Sequence, residues 1–333
     1  MDLFGYTPAE LASLLKEEGL DPACAPRLAY WIYRRGSRSF AEMHSLPREV
    51  KRRLGGKHTL EGTKVLYGSL SADGTKKYLF TGKSGTVEAV YIPDGRRHTL
   101  CVSTQVGCRL GCRFCATGQM GYRGNLTAGE IIGQLHALPE KEQVDHIVFM
   151  GMGEPLENVE EVMRAIEILT DPRAYAIAVR YITLSTVGML PALEKVLRET
   201  RVNITISLHS PFPEERSRLI PVERRYPFRK VLALLDRYPP EKKRRYTIAY
   251  TLFDDLNDSD EHLRELVRVV APVKAGVNLL PYHPVEGLPF RPASPDRLHT
   301  FCDMIRDAGI RCTIRRSRGE EIAAACGLLA GKR

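Results

Sequence analysis

Three cysteines lie within eight positions of one another, at Cys108, Cys112 and Cys115 in the stretch CRLGCRFC. Structural zinc sites usually close with four ligands, arranged as two pairs of Cys or His. The sequence has no second pair at a typical separation, since Cys302 and Cys312 are ten positions apart. Three thiolates can instead bind three irons of a [4Fe–4S] cluster and leave the fourth iron open. The spacing favours an iron–sulfur site, with zinc as the alternative.

An open iron has a chemical use. It can be chelated by the amino and carboxylate groups of S-adenosylmethionine, and an electron from the cluster then cleaves a carbon–sulfur bond to give a carbon radical. An aromatic residue, Phe114, precedes the last cysteine, and the motif follows a predicted strand. Both features strengthen the interpretation that the three cysteines serve radical chemistry.

The composition is that of an ordinary globular protein, with 43% hydrophobic and 27% charged residues among 333. The sequence lacks both a signal-peptide pattern and the run of roughly 18 apolar residues that a membrane span needs. We therefore expect a cytoplasmic protein with no membrane partner. In a reducing cytosol, eight cysteines are more often metal ligands or catalytic thiols than disulfides. The net charge of +9 suits a polyanion such as RNA, and a solvated basic surface explains it equally well.

The spacing of apolar residues changes twice along the chain. Residues 1 to about 60 have helical spacing, whereas residues 64 to 95 form short alternating runs broken by turn sequences, which is typical of hairpins. After residue 96, seven strand-like runs alternate with helix-like ones, and the first predicted helix opens with a capping box from Thr127 to Glu130. This alternation predicts a parallel sheet that closes wholly or partly into a barrel. Four short motifs fall at the carboxyl ends of these strands, where such folds place their sites: MGMGEP, STVG, SLHS and PYHP.

Longer stretches carry a resemblance to a known family, namely CVSTQVGCRLGCRFCATG, VFMGMGEPLEN, ITLSTVGMLPALEKV, ISLHSPFPEERSRLIP, NDSDEH and RGEEIAAACGLL. Through them the sequence resembles the radical-SAM RNA methyltransferases RlmN and Cfr over nearly its whole length. The resemblance implies an α/β fold: a partial (β/α)6 radical-SAM barrel with a small N-terminal helical accessory domain and a β-hairpin extension. It also implies methylation of an adenine base in RNA, with one [4Fe–4S] cluster and S-adenosylmethionine as cofactors.

On this basis the chain divides into four parts. Residues 1–62 are predicted to form the helical accessory domain, which binds RNA, and residues 63–95 the hairpin extension. Residues 96–317 are predicted to form the barrel. Residues 318–333 are predicted to form a C-terminal segment that carries a methyl-accepting cysteine.

Methylating an adenine ring carbon needs an indirect route, because a carbon such as carbon 2 is electron-poor and cannot attack a sulfonium. One route places the methyl group on a thiolate first and then makes it a radical. Cys326, among small residues near the end of the chain, fits the methyl carrier, and Cys101 fits a second thiol that releases the product as a disulfide bond. The resemblance assigns both residues these roles, and it assigns Glu88 the role of proton acceptor. Each residue also has a purely structural interpretation. Cys326 could be a small apolar residue in a tail helix, Cys101 a buried thiol in a strand, and Glu88 an exposed carboxylate in a hairpin.

The resemblance also assigns residues that contact S-adenosylmethionine. Gly153 in GMGEP allows close approach, and Glu154 beside it binds the ammonium group. The remaining positions are Ser185, Ser207, Leu208, His209 and His283. Two positions depart from the family pattern, because His283 replaces the usual Asn and Leu328 replaces Gln. Imidazole is larger than an amide and titrates near neutrality, so the role of His283 in cofactor binding stays open.

Basic runs concentrate in the second half of the chain, in EERSRLIPVERRYPFRK, EKKRR and RRSRG. Arginine and lysine in such runs bind RNA phosphates without regard to sequence. Tyr226, Phe228 and Tyr246 interleave with them and are candidates for stacking on unpaired bases, or else they belong to the core.

The resemblance leads to one main functional prediction and three alternatives. The main prediction is methylation of carbon 2 of adenosine 2503 in 23S rRNA, and of adenosine 37 in tRNA, by a monomer that receives electrons from a donor such as flavodoxin. Methylation of carbon 8 of the same adenosine, the resistance-conferring Cfr reaction, is the runner-up, since STVG, SLHSP and RRYP are similar to that branch. The remoter alternatives are a non-catalytic zinc protein that binds RNA and a relative that acts on a small molecule.

Overall fold

The chain begins with short helices that pack on one another and on the barrel. The structure, a computed structural model, describes residues 1–241 and 243–331. Its first helices are α1 (Pro8–Glu17), α2 (Ala25–Ala29) and α3 (Arg48–Lys57), with 3-10 turns at Pro22–Cys24 and Phe40–Glu42 and a π-helical turn at Tyr30–Arg34. A capping box between Thr7 and Glu10 starts α1, since the side chain of each bonds the backbone N–H of the other.

The strands follow from residue 65 onward. They are β1 (Val65–Leu70), β2 (Lys76–Gly82), β3 (Gly85–Asp94), β4 (Arg97–Val102), β5 (Gln105–Gly107), β6 (Tyr122–Asn125), β7 (His146–Phe149), β8 (Ile182–Thr186), β9 (Asn203–Ser207), β10 (Tyr246–Leu252), β11 (Ala275–Pro281) and β12 (Cys312–Ile314). All seven strands predicted after residue 96 are present, as β4 and β7 to β12.

Ten of these strands form one sheet in the order β1-β2-β3-β4-β7-β8-β9-β10-β11-β12. The first four are antiparallel neighbours, and β4 and β7 to β12 run parallel. The sheet order runs from β1 to β12 without returning to its start, which is the arrangement of a partial barrel. The predicted fold class is therefore confirmed, and the hairpin strands extend the barrel sheet itself. The bounds of the four predicted parts of the chain stay a prediction.

Helices connect the parallel strands. They are α4 (Ala116–Gln119), α5 (Ala128–His136), α6 (Val159–Thr170), α7 (Leu190–Glu199), α8 (Pro213–Leu219), α9 (Phe228–Arg237), α10 (Asp260–Val270) and α11 (Pro295–Asp307), with 3-10 turns at Pro155–Asn158, Val179–Tyr181, Pro221–Arg224 and Glu320–Ile322. The predicted capping box from Thr127 to Glu130 is confirmed at the start of α5.

The N-terminal helices and the barrel share one hydrophobic core. They meet at Gly5 and Gly129, where the backbones approach so closely that a Cβ atom on Gly129 would lie 2.4 Å from the carbonyl oxygen of Phe4. Within the described residues, the helices are all too short or too polar to cross a membrane.

Candidate active site

The three clustered cysteines occupy the loop between β5 and α4. The loop is held by backbone bonds from the Cys108 N–H to the Gly121 carbonyl (3.1 Å) and from the Cys115 N–H to the Cys112 carbonyl (3.2 Å). Leu110 and Phe114 anchor it by packing on a small apolar cluster that consists of Val187, Leu219, Ile220, Phe253 and Tyr282. As a result, all three thiols lie in the wall of one cavity of about 200 Å³, which we call the thiol cavity.

The chemistry of these thiols fits an iron–sulfur cluster. Burial, followed by a hydrogen bond that opposes it and by nearby carboxylate and thiolate charge, raises the pKa of Cys108 to about 12. Burial and the charges of the other two thiols raise the pKa of Cys112 well above its usual value. A cationic cluster supplies the positive charge that three adjacent buried thiolates need. Within the described residues, groups of three His, Cys, Asp or Glu close enough to hold a single metal ion are absent. A [4Fe–4S] cluster would bind the three cysteines through three different irons. The three thiols therefore need to line one cavity, as they do, and need not converge on one point.

The loop after β7 forms the next part of the cavity wall. Gly153 has φ +97°, and a Cβ atom there would lie 2.5 Å from the Gln105 side chain, so only glycine fits. Glu154 follows it and is buried, with its carboxylate accepting hydrogen bonds from the Thr186 hydroxyl (2.6 Å) and the Val187 N–H (3.1 Å). Burial raises the pKa of Glu154 to about 7 against these bonds. The carboxylate therefore connects the ends of β7 and β8, and it also faces the thiol cavity.

The ends of β8 and β9 supply most of the other predicted cofactor residues. Ser185, Ser207 and His209 line the thiol cavity together with Gly153 and Glu154. Leu208 is fully buried, outside the cavity lining, and its N–H bonds the Ala249 carbonyl at 3.0 Å, so its side chain belongs to the core.

His209 adopts φ +57°, and its Nδ1 accepts the Thr251 N–H at 2.8 Å. Burial, then the Arg216 charge, lowers the pKa of His209 to about 3, so the ring is neutral. A neutral ring in this wall can accept or donate a hydrogen bond without adding charge to the cavity.

Cys326 is exposed and lies in the wall of the thiol cavity, beside Gly327. It belongs to residues 318–331, which we call the C-terminal segment. One end is fastened where Arg318 pairs with Asp94 (2.8 Å) and the Glu321 carboxylate accepts the Ala72 N–H (2.8 Å). The other end is fastened by the N–H groups of Ala330 (2.8 Å) and Gly331 (3.0 Å), which donate to Glu88. A thiol between two fastened ends is well placed to serve as a group carrier.

Cys101 and Glu88 lie on the face of the sheet that points into the barrel, but neither of them lines the thiol cavity. Cys101 is a free thiol on β4, and burial, followed by its nearness to Cys326, raises its pKa to about 12. Val90 pairs with Cys101, and strand alternation puts Glu88 on the same face. The Glu88 carboxylate is almost fully buried and lies 3.0 Å from Lys77 Nζ while it holds the C-terminal segment. The structure thus brings Cys101 near Cys326, with Glu88 bound to the same segment.

A second, larger cavity of about 940 Å³ lies inside the barrel toward the amino ends of the strands, which we call the arginine cavity. Nine Arg or Lys side chains line it against one carboxylate, Asp94; they are Arg97, Arg180, Lys243, Arg244, Arg245, Arg311, Arg315, Arg316 and Arg318. Burial and the nearby Arg315 charge lower the pKa of Arg97, a sign that these cations crowd one another. Such a cavity attracts anions. Cys326 and His283 belong to the walls of both cavities.

One important residue was not singled out by sequence reasoning. Arg216 is fully buried; its guanidinium pairs with Glu223 and donates to the backbone carbonyls of Ser207 (2.8 Å) and Val187 (3.0 Å). It therefore fixes the ends of β8 and β9 that form the cavity wall. Its only signal in the sequence is the basic run EERSRLIPVERRYPFRK, which predicts phosphate contacts, whereas the structure buries this arginine.

Two aromatic residues in or beside the basic runs are buried. Phe228 and Tyr246 are buried at 0% and 2% exposure, so both belong to the core, and the alternative that they stack on RNA bases is excluded. Phe228 begins α9 and belongs to the core face of that amphipathic helix, which is not among the helices predicted from the sequence.

Comparison with known proteins agrees with this geometry. The Radical SAM superfamily model matches residues 102–267. A probable dual-specificity RNA methyltransferase RlmN of Bacteroides thetaiotaomicron is 40% identical over 98% of this chain and 95% of its own length. The chain belongs to the RlmN family of radical-SAM RNA methyltransferases. A dual-specificity RNA methyltransferase RlmN of Syntrophobacter fumaroxidans is 41% identical over 97% of this chain and 96% of its own.

Among solved structures, a radical SAM methyltransferase from Sphaerobacter thermophilus superposes with a TM-score of 0.92, at 38% identity and with full coverage of both chains. Membership in the RlmN family brings a [4Fe–4S] cluster and S-adenosylmethionine as cofactors and RNA as the substrate. The two remoter alternatives, a non-catalytic zinc protein and a small-molecule enzyme, are thereby set aside.

Proposed function

We propose that this RNA methyltransferase modifies carbon 2 of adenosine 2503 in 23S rRNA, and adenosine 37 in tRNA, through a methyl group carried on Cys326. The observation that carries the proposal is the place of Cys326 in the walls of both the thiol cavity and the arginine cavity. A methyl carrier must reach the cofactor on one side and the RNA base on the other. The description of the relatives as dual-specificity enzymes supports two RNA substrates.

The arginine cavity is the route for the RNA in this proposal. A base inside a folded RNA must leave its stack before an enclosed site can reach it. A cavity of about 940 Å³ has room for one extruded nucleotide. The arginines at its amino-end mouth, among them Arg245 and Arg311, would bind the flanking phosphates.

The predicted cysteines then have separate tasks. When bound, the cluster and S-adenosylmethionine supply an electron, a methyl group and a carbon radical. Cys108, Cys112 and Cys115 would hold the cluster, and the Cys326 thiolate would accept the methyl group. Cys101 would form a disulfide with Cys326 as the bond from the Cys326 sulfur to the RNA-bound carbon breaks, and the Cys101 proton would complete the new methyl group. The nearness of the two thiols supports this last step.

Glu88 would accept the proton that the ring carbon loses, and the unpaired electron that remains on the adduct would return to the bound cluster. The position of Glu88 on the same strand face as Cys101 supports its role as proton acceptor. Because its carboxylate holds the Ala330 and Gly331 N–H groups, it becomes available only when that end of the C-terminal segment lifts. The proposal thus links proton removal to movement of the segment that carries Cys326.

The remaining parts of the proposal concern the setting of the reaction. The enzyme would work as a monomer in the cytoplasm, with a flavodoxin-type protein reducing its cluster. Size-exclusion chromatography with light scattering tests the monomer. Cluster reduction by purified flavodoxin, NADPH and flavodoxin reductase tests the donor, with dithionite as the positive control.

The deciding experiment is mass spectrometry of rRNA and tRNA from cells that lack any endogenous enzyme for these nucleotides. Expression of the wild-type chain should place a methyl group on carbon 2 of both adenosines, and the Cys326→Ala variant should place none. A methyl group on carbon 8 would instead establish the resistance reaction. Unmodified RNA from cells that contain cluster-loaded enzyme would refute the proposal.

A further inference from the structure

His283 stands where the two cavities and the C-terminal segment meet. It follows β11 directly, after Tyr282, whose ring packs 4.8 Å from that of Phe253. The backbone at this point is therefore held by the apolar cluster under the cysteine loop. The His283 side chain itself is buried and contributes to the walls of both cavities.

Both ring nitrogens of His283 face the chain that leads to Cys326. Nε2 lies 3.0 Å from the Ser317 hydroxyl oxygen, and Nδ1 lies 3.3 Å from Glu320 Oε1. Glu320 is six residues before Cys326 and opens the 3-10 turn Glu320–Ile322. A buried side chain just after a barrel strand therefore contacts both the residue that precedes the C-terminal segment, Ser317, and Glu320 within it.

The asparagine that the family resemblance leads us to expect here would not make both contacts. An Asn amide corresponds to the Nδ1 side of imidazole and ends before the position of Nε2, whereas a Gln amide reaches it. Replacing Asn by His therefore adds a partner for Ser317. Ser317 and Glu320 are both exposed, so each of their contacts with His283 competes with water. Each contact should therefore change the equilibrium between the docked and undocked forms of residues 317–320 by a few-fold rather than by orders of magnitude.

We propose that His283 is a positioning residue for Cys326: its ring docks residues 317–320 against the barrel and so holds Cys326 at the junction of the two cavities. The inference rests on the proposed role of Cys326 as methyl carrier. His283 acts here on the protein's own segment, in contrast to the cofactor contact that the family pattern assigns to its position.

The test combines a structural readout with a kinetic one. The experiment uses protein that is expressed under iron limitation and then reconstituted, after intact-protein mass spectrometry has shown that Cys326 is unmodified. Hydrogen–deuterium exchange measures the docking of residues 317–326, and intact-protein mass spectrometry follows Cys326 methylation over a range of S-adenosylmethionine concentrations. The variants are His283→Asn, His283→Gln and Ser317→Ala. His299→Gln, at an exposed histidine on α11, is the matched control.

We expect His283→Asn and Ser317→Ala to speed exchange in the segment and to slow Cys326 methylation at saturating cofactor about fivefold, the size of one hydrogen bond of moderate strength. The KM for S-adenosylmethionine should change less than twofold. His283→Gln should restore at least half of the wild-type rate, and the His283→Asn/Ser317→Ala double variant should be no slower than His283→Asn alone.

Three results would overturn the inference. The first is hydrogen–deuterium exchange of residues 317–326 that is unchanged in His283→Asn. The second is a raised KM for S-adenosylmethionine with an unchanged maximal rate in His283→Asn, which would make His283 a cofactor contact. The third is a loss of methylation rate that is equal in His283→Gln and His283→Asn. Failure of the proposed function is separate. If wild-type Cys326 takes up no methyl group while the variants still loosen the segment, the docking role stands and the carrier role falls.

Discussion

Glu88 offers the sharpest test, because one carboxylate is assigned both an anchoring and a catalytic task. In Glu88→Gln the remaining amide oxygen can still accept the Ala330 and Gly331 N–H groups, but the ion pair with Lys77 is lost. The free energy of unfolding should fall by about 1.5 kcal/mol, the cost of a charged hydrogen bond. Glu88→Ala leaves Lys77 almost buried without a partner and should cost about 4 kcal/mol.

The catalytic consequence separates the two tasks. Glu88→Gln should methylate Cys326 within threefold of the wild-type rate, because the segment stays docked. It should methylate RNA at least about 100-fold more slowly, because the variant has no proton acceptor. The assay measures both rates on one reconstituted sample. Glu140→Gln is the control, since Glu140 is also buried beside a lysine, Lys76, on the hairpin sheet, and it should keep both rates. RNA methylation by Glu88→Gln within tenfold of wild type would refute the base role.

Other predictions test the site in separate ways. Cys112→Ser should abolish the visible absorption and most of the bound iron after anaerobic reconstitution, and a variant that keeps both would contradict the cluster assignment. Cys101→Ala should trap RNA covalently on the enzyme, seen as an RNA-dependent band shift in denaturing gels. Arg216→Met should destabilise the protein by about 3 kcal/mol in urea titrations, because it leaves Glu223 buried and unpaired. Burial lowers the pKa of His209 to about 3 in the folded protein. Between about pH 6.5 and pH 3, therefore, only the unfolded chain binds a proton at this histidine. The free energy of unfolding should be unaffected by His209 above about pH 6.5 and should fall by about 2 kcal/mol at pH 5. His209→Asn should remove that loss.

The sequence predicted the parts of the site that depend on local patterns. The three cluster cysteines lie in one loop, and the seven parallel strands have apolar runs long enough to recognise because both of their faces are buried. Parallel strands end at one edge of a sheet, so motifs at their carboxyl ends had to meet. That rule predicts that Glu154, Ser185 and His209 share one wall, and all three line the thiol cavity.

Contacts between distant parts of the chain were not predictable in this way. Arg216 looked like one more surface cation, because a single sequence does not show that Glu223 and two strand ends surround it. Glu88 was identified only through the resemblance, and its hydrogen bonds to residues more than 240 positions away could not be inferred. The π-helical turn at Tyr30–Arg34 has no recognisable signal in the sequence either.

The way the C-terminal segment is fastened explains how one cysteine can serve two cavities. A carrier thiol fixed in a sheet could face only one partner, whereas a thiol on a free tail would be held near neither, at a large entropic cost for each encounter. Here Cys326 lies between attachments at Arg318 and at Gly331, so the loop between them is short and both of its ends are held in place. Each attachment is a few hydrogen bonds, weak enough to open during turnover. Loss of one attachment should therefore slow the reaction by degrees, while loss of the Cys326 sulfur should end it.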